Sequence, residues 1–284
     1  MEKKKRLFLF AAFDPKGIID DSTIYYISEL SKVGDVVYFQ DNDVVEIELS
    51  KIAHLVLFAC GTRHEEYDFG SHKRSYLWVR ENNLLDNYDW VYLVNDSVYG
   101  PLYPLLPILE KLETSHADVV GMAYPARKKV PHIQSWFLGV SRKISTSEWF
   151  NVFITSVVKQ KQKVNVCNLY EIGFSALCRE KGFDFAYIAI IRRRWHRTYT
   201  NPKYLFRKGI PFFKKAAFIY RGGIAGRQVL YILNNVQPNL QEIITKNAEY
   251  LYGKDSVRDV LTKNMLKIFY RNVKYLVKKI FGMQ

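Results

Sequence analysis

Short apolar runs alternate with longer segments of helical periodicity over the first two thirds of the chain. The apolar runs predict strands at residues 6–13, 35–39, 54–60, 89–94, 117–123, 132–140 and 184–191. The segments between them predict helices at residues 22–32, 71–83, 102–113, 146–160 and 168–181. Strands separated by helix-length segments are typical of a mostly parallel sheet flanked by helices. The pattern therefore predicts an α/β fold.

The pattern changes after residue 191. Residues 192–218, RRRWHRTYTNPKYLFRKGIPFFKKAAF, are dense in arginine, lysine and aromatic residues and have little periodicity. Helical spacing returns later and predicts two helices, at residues 237–251 and 255–281. We therefore expect one domain over residues 1–220 and a basic helical C-terminal region over residues 221–284.

The last of these helices is amphipathic. One side carries apolar residues and the other carries cations: Leu261, Met265, Ile268, Leu276 and Ile280 against Lys263, Lys267, Arg271, Lys274 and Lys278. Such a helix can lie on an anionic membrane surface. It can equally pack on the core with a solvated basic face. The spacing alone leaves both alternatives open.

Composition narrows the class of protein and its partners. With 48% hydrophobic and 15% aromatic residues, the chain is globular rather than disordered. The 42 basic and 28 acidic residues give a net charge of +14, which suits nucleic acid, anionic lipid or phosphorylated small molecules as partners. Cys60, Cys167 and Cys178 form no CxxC pair, so we expect buried thiols in a reducing compartment.

The N-terminal sequence MEKKKRLFLFAAF has the charge of a signal peptide, but its apolar stretch ends after seven residues at Asp14-Pro15. We interpret it as a first strand preceded by solvated lysines. No run in the sequence approaches the roughly 18 apolar residues that a membrane span requires. A cytoplasmic location is therefore expected.

The stretch VYLVNDSVYGPL, residues 91–102, ends a predicted strand on polar residues, Asn95, Asp96 and Ser97. Asparagine and aspartate are poor strand residues, so they mark the carboxyl end of the strand. In open α/β sheets, ligands bind at that edge. The alternative is a plain turn in which Asp96 or Ser97 caps the next helix.

Two further loops could bind a nucleotide. Phe13 and Asp14 follow the first strand, where a base can lie or where the chain simply turns. Asp68 and Gly70 precede the predicted helix 71–83. The first turn of that helix holds a potential cap and three basic residues: Ser71, His72, Lys73 and Arg74. Cations are unfavourable at a helix N-terminus unless an anion binds there, although a solvated loop is the simpler alternative.

Two segments carry candidates for contact with the reacting groups. In HIQSWF, residues 132–137, alternation places His132, Gln134 and Trp136 on one face of a strand, where His132 and Gln134 could bind sugar hydroxyls. Glu171 precedes an apolar helical stretch and is either a first-turn residue or a carboxylate base. Walker, GxGxxG and Ser-His-Asp patterns are absent from the sequence, which argues against kinases, dehydrogenases and hydrolases.

Six segments in one order resemble the rhamnan synthesis protein F family of bacterial polysaccharide glycosyltransferases, over roughly residues 5–220. They are FDPKG, YDFGSHK, VYLVNDSVYGPL, HIQSWFLGVSR, YEIGFSAL and NPKYLFRKGIPFFKKAAF. The resemblance implies a GT-A-like fold. It also implies transfer of rhamnose, galactose or a related hexose from a nucleotide-diphospho-sugar to a cell-surface polysaccharide or an O-antigen-type lipid-linked acceptor.

The resemblance also implies roles for the residues above. Asn95-Asp96-Ser97 resembles the acidic motif that holds the donor diphosphate through Mn²⁺ or Mg²⁺, with Asp96 as the remaining carboxylate and with metal use left open. The other donor-binding residues are Phe13, Asp14, Asp68, Gly70, Lys73 and Gln134. The catalytic residues are Glu171, as base, and His132; the acceptor-binding aromatics are Trp195, Tyr199 and Tyr204.

With its basic helix, such an enzyme would rest at the inner face of the plasma membrane, among other glycan-assembly enzymes. Two alternatives stay open. The incomplete acidic motif also fits a non-catalytic scaffold in a glycan-assembly complex. The basic and aromatic residues of 192–221 also fit a protein that binds nucleic acid.

Overall fold

The computed structural model describes residues 4–126, 131–191, 197–219 and 223–280. The chain forms two compact units. Unit 1 comprises Met1–Asp96 and Pro104–Arg192, and unit 2 comprises Ser97–Tyr103 and Arg193–Gln284. The chain therefore leaves unit 1 directly after Asp96. The division into domains at residue 220 stays a prediction.

The strands of unit 1 are β1 (Arg6–Ala12), β2 (Asp35–Gln40), β3 (Phe58–Gly61), β4 (Trp90–Asn95), β6 (Val119–Pro125), β7 (Phe137–Ser141) and β8 (Phe185–Ile191), and those of unit 2 are β5 (Val98–Tyr99) and β9 (Phe213–Lys214). The unit 1 helices are α1 (Asp21–Ser31), α2 (Glu46–Ser50), α3 (Tyr67–Glu81), α4 (Leu106–Glu113), α5 (Arg142–Ser145), α6 (Glu148–Thr155), α7 (Lys163–Val166) and α8 (Gly173–Glu180). The unit 2 helices are α9 (Arg197–Thr200), α10 (Pro202–Arg207), α11 (Gly223–Leu233), α12 (Pro238–Tyr252), α13 (Lys254–Val260) and α14 (Met265–Ile280).

Unit 1 is built on a seven-stranded sheet with the strand order β3-β2-β1-β4-β7-β6-β8. All neighbours are parallel except β7, which is antiparallel to both β4 and β6. Every residue of β1 and β4 is buried, and apart from Arg6 and Asn95 the two strands carry apolar or aromatic side chains, as strands covered on both faces do. The predicted α/β class with a mostly parallel sheet is confirmed.

The predicted strand 132–140 is wrong at its start, because β7 begins only at Phe137. Before that point, side chains accept two of the backbone N–H groups. The Ile133 N–H donates to Ser175 Oγ at 3.2 Å, and the Ser135 N–H donates to Glu171 Oε2 at 2.7 Å. His132, Gln134 and Trp136 therefore do not share one face of a strand.

Helices also begin or break at other places than predicted. α3 begins at Tyr67 rather than at residue 71, and α4 begins at Leu106, so neither Asp96 nor Ser97 caps a helix. The predicted helix 168–181 contains a π-helical turn, Cys167–Ile172, before α8. The predicted helix 255–281 is two helices, α13 and α14.

Unit 2 contains the two-stranded antiparallel ribbon of β5 and β9 and the helices α9 to α14. Tyr99 of β5 is buried and its hydroxyl donates to Asn247 Oδ1 of α12 at 2.7 Å. α14 packs against α11. In the ranges that the structure describes, every helix is too short or too polar to cross a membrane.

Candidate functional site

The carboxyl ends of β1 and β4 meet at Asp96. The Asp96 N–H donates to Ala11 O at 3.1 Å, and Asp96 Oδ2 accepts the Phe13 N–H at 3.3 Å. Phe13 and Asp96 lie 83 residues apart in the sequence. The structure thus brings two of the predicted donor-binding residues together at the sheet edge, where open α/β sheets bind ligands.

Asp68 joins the same edge through Asn95. Asn95 is buried at the end of β4, and its Nδ2 donates to Asp68 Oδ2 at 2.8 Å. His72, one turn further along α3, is also buried, and its Nε2 lies 3.0 Å from Val94 O. Because burial lowers the pKa of His72, the ring is neutral at pH 7 and donates its Nε2–H to that carbonyl. Side chains of α3 therefore fix the end of β4.

Phe13 presents an aromatic ring at this edge, with 49% of the residue exposed. The Arg63 guanidinium lies 5.6 Å from the ring centroid, and Arg63 Nη1 donates to Asp41 O at 2.9 Å. Sequence reasoning missed Arg63, although a basic residue shortly after a strand was a usable signal. The pair offers a flat apolar surface beside a positive charge.

Asp14 closes the turn after β1. Its Oδ1 accepts the N–H groups of Lys16, at 2.8 Å, and of Ile18, at 3.1 Å. This is the local hydrogen bonding by which aspartate stabilises turns. The predicted contact of Asp14 with a donor stays a prediction.

Lys73 and Gly70 both lie within α3, and their predicted contacts with a donor stay predictions. Lys73 is in the second turn of α3, where its Nζ pairs with Glu66 Oε2 at 2.8 Å and donates to Val157 O at 2.6 Å. The prediction that Lys73 occupies a first helical turn is wrong, because α3 begins four residues earlier than residue 71. Gly70 is buried, and a Cβ there would lie 2.3 Å from Glu66 Cβ. Its lack of a side chain serves packing.

Glu171 and His132 are close together in unit 1. Glu171 Oε2 accepts hydrogen bonds from both the N–H and the hydroxyl of Ser135, each at 2.7 Å, and Oε1 lies 3.3 Å from His132 Nε2. Burial alone would raise the pKa of Glu171, but the hydrogen bonds from His132 and Ser135 outweigh it and hold that pKa below its ordinary value. Glu171 is therefore ionised at neutral pH, and it lies in the π-helical turn rather than in a first α-helical turn.

Gln134 lies in the same irregular segment as His132. Its Oε1 accepts the Trp136 Nε1–H at 3.1 Å, and its side chain is half-buried, whereas His132 is fully buried. Of the two predicted sugar-binding side chains, Gln134 is the more accessible.

The other predicted residues belong to unit 2. Ser97 Oγ accepts a hydrogen bond from Lys214 Nζ at 2.7 Å. Tyr199 is half-buried, and the Tyr204 ring lies 5.8 Å from Lys208 Nζ. Trp195 lies outside the described residues.

In the part of the chain that the structure describes, no three His, Cys, Asp or Glu side chains are grouped to hold a metal ion. Asp96 is the one carboxylate among residues 95–97, and the Asn95 amide nitrogen is directed at Asp68. A cation at Asp96 would therefore need most of its oxygen ligands from the donor and from water.

Comparisons with known proteins bear on the family. The model of a family described as rhamnan synthesis protein F matches residues 43–283. A curated protein, "Uncharacterized protein y4gN" of Sinorhizobium fredii (strain NBRC 101917 / NGR234), is 24% identical over 180 residues, which are 61% of this chain and 46% of that protein. The chain thus spans about half the length of the curated relative that it matches.

Two solved structures align with part of this chain. A putative nucleotide-diphospho-sugar transferase from Desulfovibrio desulfuricans G20 has a TM-score of 0.39 and 15% identity, covering 74% of this chain and 96% of that one. Core-mannan synthase A from Aspergillus fumigatus, in its Mn/GDP form, has a TM-score of 0.34 and 9% identity, covering 65% of this chain and 72% of that one.

Proposed function

The chain belongs to the rhamnan synthesis protein F family, and on this premise we propose that it is a glycosyltransferase with a GT-A-like fold. It moves a sugar from a nucleotide-diphospho-sugar to a cell-surface polysaccharide or to an O-antigen-type lipid-linked acceptor. Rhamnose, galactose and related hexoses all fit as the sugar. The observation that carries the proposal is the contact of Phe13 with Asp96, which joins the ends of β1 and β4.

The nucleotide half of the donor is proposed to lie along the ends of β1 to β4. The Phe13 ring and the Arg63 guanidinium suit stacking on a base. Asp68, held by Asn95, suits a hydrogen bond to ribose. Asp14 and Gly70 support the loops on which these groups lie.

Asp96 is proposed to contact the diphosphate end of the donor, through Mn²⁺ or Mg²⁺ or through a hydroxyl of the donor sugar. A bound cation would neutralise part of the diphosphate charge. Lys73 is proposed to lie near the donor phosphate; its Nζ also pairs with Glu66, the residue at which the loop before α3 ends. Electrostatic stabilisation of the leaving diphosphate is a large term in this class of reaction.

The proposed reaction is a displacement at the anomeric carbon of the donor sugar. The acceptor hydroxyl oxygen bonds to that carbon, the bond from the carbon to the diphosphate oxygen breaks, and the hydroxyl proton passes to a carboxylate. We assign the carboxylate to Glu171, with His132 as its hydrogen-bonding partner and Gln134 on sugar hydroxyls. Trp195, Tyr199 and Tyr204 are proposed to stack on acceptor sugar rings.

The donor site is tested by calorimetry with UDP-, dTDP- and GDP-sugars, each with Mg²⁺, with Mn²⁺ and with EDTA. We expect one nucleotide class to bind and Asp96→Asn to weaken it by about 10- to 100-fold, the loss of a charge-assisted contact. Dependence on Asp96 only when a metal is present would indicate that Asp96 acts through an ion.

Asp86→Asn is the matched control, because it removes one carboxylate from an exposed position of unit 1. It should leave the donor affinity unchanged. If folded wild-type protein binds no nucleotide-sugar, the transferase proposal is wrong, and the scaffold alternative, which the single carboxylate also fits, takes its place.

The base is tested by Glu171→Gln in a transfer assay with the donor that binds. We expect turnover to fall by about 10²- to 10⁴-fold while donor affinity stays within about threefold, because only proton transfer is lost. Glu180→Gln, at an exposed position of α8, is the control. Turnover near the wild-type value would exclude Glu171 as the base. A joint loss of thermal stability and donor binding would make it a residue that holds the 131–136 segment.

A further inference from the structure

Two helices of unit 2, α10 and α11, hold two cations against one aromatic ring. The Lys203 Nζ lies 3.7 Å and the Arg207 guanidinium carbon 5.2 Å from the centroid of the Tyr231 ring. Lys203 and Arg207 are four residues apart on α10, so helical spacing places them on the same face. Tyr231, on α11, is half-buried, and the Phe206 ring packs against it with the centroids 6.4 Å apart. The two charges therefore lie together at one place on unit 2.

Side-chain hydrogen bonds fix α10 against α11. Gln228 Oε1 accepts the Lys203 N–H, and Gln228 Nε2 donates to Thr200 O, each at 3.3 Å. Asn201 Oδ1 accepts the Tyr204 N–H at 3.2 Å and caps the start of α10. The backbone that carries the two cations is therefore held in place without a ligand, which lowers the cost of binding one.

Among the described residues, no carboxylate forms an ion pair with Lys203 or Arg207. The ion pairs described in unit 2 lie within α12 and α13. The sequence itself contains no aspartate or glutamate between Asp184 and Glu242. Two like charges against one ring repel each other, and a bound anion offsets that repulsion. The arrangement therefore favours a negatively charged ligand at this place.

From this arrangement we infer that Lys203 and Arg207 bind a diphosphate group through which the lipid-linked acceptor carries its sugar. This rests on the proposed function and adds to it a place for the charged part of the acceptor. Two neighbouring cations suit a diphosphate, which carries a negative charge on each phosphate, better than a phosphodiester, which carries one. The arginine fork can bind two phosphate oxygens, and lysine acts as a point charge. Tyr204, the proposed partner of an acceptor sugar ring, follows Lys203 directly in the chain.

The test is the calorimetric affinity of the whole chain for farnesyl diphosphate, which represents a lipid diphosphate, without added metal. Lys203→Gln and Arg207→Gln should each weaken it by about 10-fold, the loss of one charge-assisted contact. Arg207→Lys keeps the charge and should stay within about threefold of the wild type. The affinities for dihexanoylphosphatidylglycerol, a phosphodiester with one charge, and for the nucleotide-sugar that binds should change by less than about threefold in every variant.

Lys254→Gln is the matched control, because it removes one positive charge from an exposed position of unit 2. Thermal unfolding of every variant shows that it is folded. If wild-type protein does not bind farnesyl diphosphate, or if both glutamine variants bind it as tightly as Lys254→Gln does, the inference is wrong. Nucleotide-sugar binding by the same wild-type protein would then leave the proposed function standing, whereas its absence would count against that function.

Two further results would overturn the inference by assigning the cations to another ligand. An equal loss of dihexanoylphosphatidylglycerol affinity in the glutamine variants would make the pair a general site for membrane phosphodiesters. A single-stranded oligonucleotide that binds the wild type and is lost in the same variants, while farnesyl diphosphate is not, would assign the pair to nucleic acid.

Discussion

Asp41 is a buried carboxylate that fixes the loop before α3. It accepts the backbone N–H groups of His64 at 2.9 Å, Glu65 at 2.7 Å and Tyr67 at 3.2 Å. Glu65 and Tyr67 have φ values of 60° and 59°, which cost non-glycine residues about 1 kcal/mol each. The carboxylate offsets that cost and thereby positions Arg63 near Phe13.

His64 lies in this loop in a single neutral form. Its Nδ1 accepts the Glu66 N–H at 3.1 Å, so the ring proton is on Nε2, which lies 3.0 Å from Ser71 Oγ. Burial, together with the positive charge of Arg74, lowers the pKa of His64 to about 4. Protonation of His64 therefore destabilises the folded loop.

We predict that the free energy of unfolding falls as the pH is lowered from about 6.5 towards 4. The unfolded chain takes up the His64 proton near its ordinary pKa of about 6.5, whereas the folded chain resists it, so the stability from the neutral ring is complete above pH 6.5 and is lost below it. The loss amounts to about 1.4 kcal/mol per pH unit, or roughly 3 kcal/mol in total. Urea unfolding at a series of pH values measures it.

His64→Gln should flatten this pH dependence, and His54→Gln, at an exposed position, should leave it as in the wild type. His72 has its pKa lowered as well, so the flattening is expected to be partial. Equal pH slopes in all three proteins would show that His64 titrates alike in the folded and unfolded chains.

The sequence indicated site residues where polar residues interrupt a strand. Asn95 and Asp96 follow a buried apolar run, and Phe13 follows another, so each was predicted from its own neighbours. Asp41 and Arg63 were missed because their partners lie on other strands or loops. Their contacts depend on which strands pair with one another, and the local sequence pattern does not give that information.

At the level of elements, periodicity predicted β1 and β4 to within one residue at each end, because each is an apolar run that is buried throughout. It did not predict that β7 runs antiparallel, because the alternation of apolar and polar residues is the same whichever way a strand runs in the sheet. It also missed β5 and β9, which have two residues each and show no period.

The errors at element ends have one physical cause. Side chains from distant segments satisfy backbone groups that would otherwise extend a strand or a helix. Asp41 accepts backbone N–H groups of the loop before α3, Ser175 accepts the N–H of Ile133, and Glu171 accepts the N–H of Ser135. Local sequence propensities carry no information about these distant partners, so the predicted boundaries differ from the observed ones by several residues.

For the molecule as a whole, both the net charge of +14 and the amphipathic helix α14 suit an anionic lipid surface as a partner. The predicted apolar side joined Met265 with Ile268, but Ile268 is 5% exposed and packed, whereas Leu266 is 80% and Phe269 69% exposed. The accessible apolar stripe is therefore Leu266, Phe269, Tyr270, Val273 and Val277. Lys267 and Lys274 lie beside it at helical spacing. We propose that this stripe rests on an anionic lipid bilayer.

The proposal predicts that the whole chain partitions onto vesicles of mixed anionic and zwitterionic lipid. Replacing Leu266 and Phe269 together by serine should weaken binding by about 10- to 100-fold, because burying each side chain contributes roughly 1.5–3 kcal/mol when complete and less at an interface. Vesicle co-sedimentation measures the partition coefficient. Since lysines near an anionic surface contribute about 1 kcal/mol each, added salt should also weaken it.

The matched control is the double change Val45→Ser and Ile47→Ser, which removes two exposed apolar side chains from unit 1. It should bind vesicles like the wild type, because the residues beside them in α2 include the acidic Glu46 and Glu48. Purely zwitterionic vesicles separate the two contributions, since they keep the apolar term and remove the electrostatic one. Binding that the α14 variant retains in full would mean that the stripe faces water, and α14 would then be an ordinary packed helix with a solvated basic face.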